Sequence, residues 1–176
     1  MWRNGLLYKL AKHGIGQLLF QVIKNQYTRT EIAIKFNNSC STFFETYRGV
    51  RQGDSISPTL FNIFINDLEQ ITTSESSMSP KLVESKVGSL LFADDLVILS
   101  ESKEGLQNSV NNLGVFCDDW KLTLNIDKTK SMVIQQNSSH KNEPFVSYKN
   151  NLLQNVTEYR FLGTLLKNNG NLNYRL

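Results

Sequence analysis

Apolar residues recur at helical spacing from the start of the chain, at Leu6, Leu7 and Leu10, and predict a first helix over residues 2–12 that Gly14 and Gly16 stop. A second helix carries Leu18, Leu19, Val22, Ile23 and Tyr27 on one side. The period then drops to two. Residues 30–36 (TEIAIKF) alternate polar and apolar, and residues 41–47 are rich in β-branched and aromatic side chains, so a hairpin is predicted around a short Asn-Asn-Ser connector. A glycine-punctuated polar loop, RGVRQGD (48–54), leads to Ser57 and Pro58, which suit the cap and first position of a third helix running through Phe61, Phe64, Ile65 and Leu68. Residues 72–80 (TTSESSMSP) have the composition of a surface loop. Further on, Ser102 can cap a helix bearing Leu106, Val110, Leu113, Cys117 and Trp120. A strand is predicted over 130–134, a polar connector over 135–142, and short strands at 145–148 and 159–166. This mixed order of helices and hairpins argues for an α+β domain with an antiparallel sheet.

One segment breaks the pattern. In SLLFADDLVIL (89–99), Asp94 and Asp95 stand between two apolar runs, each long enough for a short strand. The pair falls where a two-residue turn would join them. Aspartate tolerates turn conformations, the left-handed region included, so backbone geometry alone could account for it. The other account is chemical. Adjacent carboxylates repel, and apolar surroundings penalise their charge unless a cation compensates. Mg²⁺ takes oxygen ligands and commonly uses one or two carboxylates together with substrate phosphates. Because successive strand side chains point oppositely, both aspartates reach one centre only if the backbone turns there, which favours Asp94 as the direct ligand. Asp118 and Asp119 form a second such pair, near the end of an amphipathic helix where water can solvate them.

Composition narrows the class. The 176 residues suffice for one domain, and their apolar and charged fractions are those of an ordinary globular protein. No apolar run approaches the ~18 to 20 residues needed to cross a bilayer, and the N-terminus lacks the order of a secretory signal, so an intracellular protein is expected. Cys40 and Cys117 have no CxxC or histidine partner and are expected as free thiols. The net charge of +3 permits a nucleic-acid partner without demanding one.

Four blocks, RGVRQGDSISPTLFNIFINDL (48–68), LLFADDLVILSES (90–102), LTLNIDKTKSMVI (122–134) and YRFLGTLL (159–166), in this order and at these separations, together resemble the reverse transcriptases of non-LTR (LINE-like) retrotransposons. The resemblance covers nearly the whole chain. It implies a polymerase palm, an antiparallel sheet packed on helices, plus part of the fingers, with residues 1–176 forming a partial reverse transcriptase domain that ends at the primer-grip region. It implies that Asp94 and Asp95 bind catalytic Mg²⁺, and that Arg51, Gln52 and Gly53 lie beside template and incoming nucleotide. Phe92 takes the place of an aromatic residue near the nucleotide sugar, and Lys128 that of a lysine near the triphosphate. By the same resemblance, Phe161, Leu162 and Gly163 would fall in the primer-grip hairpin. An ordinary strand-to-helix turn, an exposed lysine and plain core strands remain the bland explanations of these single blocks.

The resemblance also sets an expectation of something missing. The family palm uses another metal-binding aspartate on an earlier strand ending in a sequence like AFD, whereas no Asp here precedes Asp54, and the opening MWRNGLLYKLAKHGIG is similar to the helix after that strand. The thumb is likewise expected to be absent. The complete enzyme would extend a DNA primer on an RNA template from deoxynucleoside triphosphates, within a longer retrotransposon polyprotein and away from any membrane. This chain alone is expected to be inactive. The alternatives are a non-catalytic nucleic-acid-binding module and a degenerate remnant.

Overall fold

The computed structural model describes residues 1–72, 78–134, 145–170 and 172–173. Helix α1 (Arg3–Lys12) and helix α2 (Gln17–Thr28) form an N-terminal pair. Gly5 in α1 is required by close approach, since a Cβ there would lie 2.6 Å from the Trp2 ring and 3.2 Å from both Phe64 and Trp120. The expected hairpin is present but interrupted. Strand β1 (Glu31–Ile32) pairs with β4 (Phe44–Glu45), while β2 (Lys35–Phe36) pairs with β3 (Ser39–Cys40) across a turn in which Asn37 takes φ 51°.

The third helix is shorter than its periodicity suggests. Helix α3 (Ser57–Ile65) ends before Asn66, and a separate short helix α4 (Leu68–Thr72) comes next. Ser57 is not the cap but the first helical residue, and its hydroxyl donates to the Arg51 carbonyl at 2.6 Å. The loop reading of 72–80 is corrected at its ends: Thr72 closes α4 fully buried, its hydroxyl 2.9 Å from that of Ser89, and Ser79 is buried too. Residues 73–77 lie outside the described residues. A small hairpin of β5 (Lys81–Leu82) and β6 (Ser85–Lys86) then precedes the central one, β7 (Ser89–Phe92) and β8 (Asp95–Ile98).

Helix α5 (Lys103–Asp119) starts as predicted, with the Ser102 hydroxyl accepting from the Gly105 amide at 3.0 Å. Of the strand expected over 130–134 only β9 (Lys130–Ser131) forms, and the connector expected over 135–142 lies outside the described residues. Strand β10 (Ser147–Tyr148) pairs with β11 (Asn151–Leu152), and the Gln107 amide of α5 continues its ladder, accepting from Ser147 N–H at 2.9 Å and donating to its carbonyl at 2.8 Å. Strand β12 (Gln154–Asn155) lies parallel to β9, an exception to the antiparallel rule expected from the sequence. Strands β13 (Glu158–Phe161), β14 (Thr164–Lys167) and β15 (Leu172–Asn173) close the chain as an antiparallel meander.

Burial explains the arrangement. Leu6, Leu10, Ile23, Tyr27, Leu60, Phe64 and Ile65 pack α1, α2 and α3 together. Leu68, Leu113, Phe116 and Cys117 pack α4 on α5, and Leu96 and Ile98 of β8 lie against them. Val110 joins Val146, Tyr148 and Leu153 in a third cluster. Trp120 contacts the first two clusters and fuses them. The architecture is thus helices with small, mainly antiparallel sheets. Among the described residues no helix is long and apolar enough to cross a membrane.

Candidate functional site

The β7–β8 hairpin pairs Ser89 with Ile98, Leu90 with Val97, Leu91 with Leu96 and Phe92 with Asp95. The two turn residues are therefore Ala93 and Asp94, one place earlier than the sequence suggests, and Asp95 opens β8. Left-handed geometry falls on Ala93, with φ 51°. This bears on the two accounts of the aspartates, because the conformation that aspartate tolerates best has been given to alanine, at a cost of about 1 kcal/mol. The left-handed position of the turn is therefore not what the aspartates are there to fill.

Register also sets the faces. Leu96 and Ile98 look inward, whereas Leu90, Phe92 and Asp95 share the opposite face. That face is open: Leu90 is 48% and Phe92 62% exposed, and Asp94 and Asp95 are exposed as well. The expectation of carboxylates held in apolar surroundings is corrected accordingly. The apolar residues at the tip are themselves uncovered, so water solvates the carboxylates. Two adjacent solvated carboxylates offer hard oxygen donors of the kind a divalent cation that keeps much of its water takes. Among the described residues no three His, Cys, Asp or Glu gather where they could hold a metal.

Arg51, Gln52 and Gly53 form an exposed turn. Gly53 has φ 84° with open space where a Cβ would point, so glycine serves its backbone rather than close packing. Asp54 organises the entry into α3: its carboxylate accepts from the Ile56 amide at 3.2 Å and its carbonyl from the Ser57 amide at 3.1 Å. From the other side the loop is held by Arg3, a residue that the sequence patterns do not single out. Its guanidinium donates to the carbonyls of Gly49 at 3.2 Å and Arg48 at 3.4 Å, and also to that of Thr46. Burial holds Arg3 below its ordinary arginine value; Tyr27 opposes it, and the charge of Arg51 adds to it more weakly. Trp2 and Arg48 form an isolated antiparallel bridge beside it.

Lys128 lies exposed in a turn where its amide donates to the Asn125 carboxamide at 3.2 Å. Its carbonyl accepts from the Tyr159 hydroxyl at 3.4 Å, which links this turn to the β13–β14 hairpin. Phe161 ends β13, and Leu162 and Gly163 make the turn with φ 47° and 84°. With Glu158, Tyr159 and Arg160 exposed, this hairpin is not the plain core strand that would have been its bland explanation. Cys40 is an exposed free thiol and Cys117 a buried one; burial pushes Cys117 up despite a hydrogen bond from Tyr148.

Comparison with known proteins gives this layout a context. The family described as "Reverse transcriptase (RNA-dependent DNA polymerase)" matches residues 1–166. The "RNA-directed DNA polymerase from mobile element jockey" of Drosophila funebris is 27% identical over 172 residues, 94% of this chain and 18% of that protein. The "Retrovirus-related Pol polyprotein from type-1 retrotransposable element R2" of Nasonia vitripennis is 26% identical, with 88% of this chain and 15% of the relative covered. A "type-2 retrotransposable element R2DM" polyprotein of Drosophila melanogaster is 31% identical over 119 residues, 68% of this chain and 11% of its own length. The chain thus spans less than a fifth of each of these relatives.

Proposed function

Because the chain belongs to the reverse transcriptase (RNA-dependent DNA polymerase) family, we propose that it supplies palm and fingers elements of a non-LTR retrotransposon polymerase, which extends a DNA primer on an RNA template. The resemblance of its four sequence blocks to non-LTR enzymes agrees with relatives from the jockey and R2 elements. The observation that carries the reading is the hairpin tip, where strain is placed on Ala93 and both aspartates are left solvated and clear of the left-handed position.

Asp94 and Asp95 would hold Mg²⁺, which when bound supplies positive charge against the phosphates of a nucleotide and polarises them for transfer. Phe92, on the same face as Asp95, offers an aromatic surface for a nucleotide sugar. Arg51 and Gln52 donate to template or nucleotide from a turn that Arg3 and Asp54 fix. Lys128 brings a cation toward the triphosphate, and Phe161, Leu162 and Gly163 hold the primer end. Alone, the chain is a poor catalyst, since two carboxylates fix an ion less firmly than three. A loss of ~4 kcal/mol in transition-state stabilisation is about a thousandfold in rate.

A test independent of turnover is Mn²⁺ titration with an RNA–DNA hybrid and a deoxynucleoside triphosphate, read by paramagnetic broadening of backbone amides. Broadening should centre on residues 93–95 and disappear in Asp94→Asn. Broadening elsewhere, or equal broadening in that variant, would overturn the assignment.

A further inference from the structure

Lys9 places a positive charge inside the core. Its side chain is 1% exposed, and the rings of Phe64, Phe116 and Trp120 lie with their centroids 5.4, 5.1 and 3.9 Å from the ammonium. Two oxygens complete its surroundings, the Phe64 carbonyl at 2.5 Å and the Asp67 carboxylate at 3.2 Å. Taking a lysine out of water is expensive, and apolar side chains of similar volume often hold such a place with equal or greater stability. What the charge adds is direction. Apolar packing tolerates sliding, whereas an ammonium keeps two charge-assisted contacts only while both oxygens stand at fixed places around it.

Those two oxygens flank the joint between α3 and α4, which consists of Asn66 and Asp67. From the joint, contacts lead to the aspartate hairpin. Leu68, the first residue of α4, belongs to the cluster on which Leu96 and Ile98 of β8 lie. At the other end of α4 the buried Thr72 hydroxyl donates to that of Ser89, the first residue of β7, at 2.9 Å. The Asn112 side-chain amide of α5 donates to the Ile71 carbonyl at 3.3 Å and keeps α4 in place between these contacts. Helix α1 makes a second connection. It also carries Arg3, whose guanidinium grips the carbonyls of Thr46, Arg48 and Gly49 at the entrance to the Arg51 turn. At a rise of about 1.5 Å per residue the two grips lie about 9 Å apart on one rod.

We propose that Lys9 is a positioning residue which, through Asp67 and α4, fixes the aspartate hairpin relative to the Arg51 turn. It touches neither metal nor nucleotide and acts on both halves of the site from behind. The proposal rests on the reading of Asp94 and Asp95 as metal ligands and of Arg51 as facing the nucleotide. In that reading the two halves serve one substrate, and a misplacement of about 1 Å between them costs on the order of a hundredfold in rate.

The test compares backbone amide shifts and Mn²⁺ titrations of the full chain with those of three variants. Lys9→Met keeps most of the volume and removes the charge. Asp67→Asn, at a side chain 35% exposed, removes the ion pair without disturbing the core. Ile23→Val takes a methylene from the first cluster and leaves the joint alone. Lys9→Met and Asp67→Asn should both move amides in residues 89–98 and weaken Mn²⁺ binding at Asp94 about fivefold, and Lys9→Met should also move residues 49–53. Ile23→Val should lower the melting temperature and leave the hairpin amides where they are. Shifts confined to α1 and the joint in both charge variants, or hairpin shifts as large in Ile23→Val, would reduce Lys9 to a packing residue and overturn the proposal. If Lys9→Met does not fold, Asp67→Asn decides. A native chain that binds no Mn²⁺ would overturn the metal reading alone, and the hairpin shifts would then decide the coupling by themselves.

Discussion

The Lys9 ammonium sits 3.9 Å from the centroid of the Trp120 ring, inside the core. It donates to the Phe64 carbonyl at 2.5 Å and pairs with Asp67 at 3.2 Å, with its side chain only 1% exposed. This is why the third helical pattern splits. The Phe64 carbonyl, near the end of α3, is satisfied by a lysine from α1 instead of by a further helical turn, and Asp67 is drawn out to meet the same charge. Burial lowers the Lys9 pKa below the ordinary lysine value, and the hydrogen bond and charge of Asp67 oppose that shift.

Truncating this lysine should therefore be costly. Lys9→Ala removes the partner of Asp67 and opens a void beside Phe64, Phe116 and Trp120, for an expected loss of about 2 to 4 kcal/mol in urea denaturation. Lys9→Met keeps most of the volume and should lose less. Equal stability of Lys9→Ala and the native chain would show that the cage contributes nothing.

At the hairpin tip the expectations run the other way. Asp94→Asn and Asp95→Asn alter exposed side chains and should change stability by no more than about 0.5 kcal/mol, while Mn²⁺ affinity falls. Ala93→Gly relieves the left-handed strain and should be neutral or stabilising by up to about 1 kcal/mol. Ala93→Val, which places a β-branched residue at φ 51°, should destabilise. A stabilising Val there would contradict the turn.

Gly53→Ala tests the other loop. Nothing stands in the way of the added methyl group, so its whole cost is the positive φ, about 1 to 2 kcal/mol. Thermal melting gives that cost. Amide chemical shifts should move at Arg51 and Gln52 and stay fixed in α5.

Alkaline stability reports on the contact between the second and third clusters, where Cys117 meets Tyr148. Burial raises both Tyr148, to about 12, and Cys117 above its ordinary value. Each is raised in the folded state and ionises earlier when unfolded, so the stabilisation is complete below the unfolded values and is lost as pH rises through about 9 to 12. The urea midpoint should fall across that window, and Tyr148→Phe should flatten the fall. An unchanged slope would remove Tyr148 from the account.

Much of this was legible because the signals were local. Ser102 and a long apolar repeat specify α5 without help from the rest of the chain, and the apolar runs flanking Asp94 specify two strands. The hairpin of β5 and β6 was not legible, since its turn places Val83 at φ 58°, against the residue preferences of turns. The parallel pairing of β9 with β12 depends on partners far apart in sequence and leaves no short-range mark. The exact turn register around Asp94 was off by one because aspartate is the better left-handed residue, yet alanine occupies that place. Arg3 and Lys9 were missed for a common reason: a lysine or arginine on a helix reads as solvated, and only the tertiary neighbours reveal burial.

The bridge between Trp2 and Arg48 has a kinetic consequence. The hairpins at the aspartates and at Leu162 close over two residues and can zip early, whereas this bridge and the three carbonyls gripped by Arg3 require a long stretch of chain to be gathered first. During refolding, the aspartate hairpin should take shape before the Arg51 loop is anchored, so that the two halves of the candidate site mature on separate clocks.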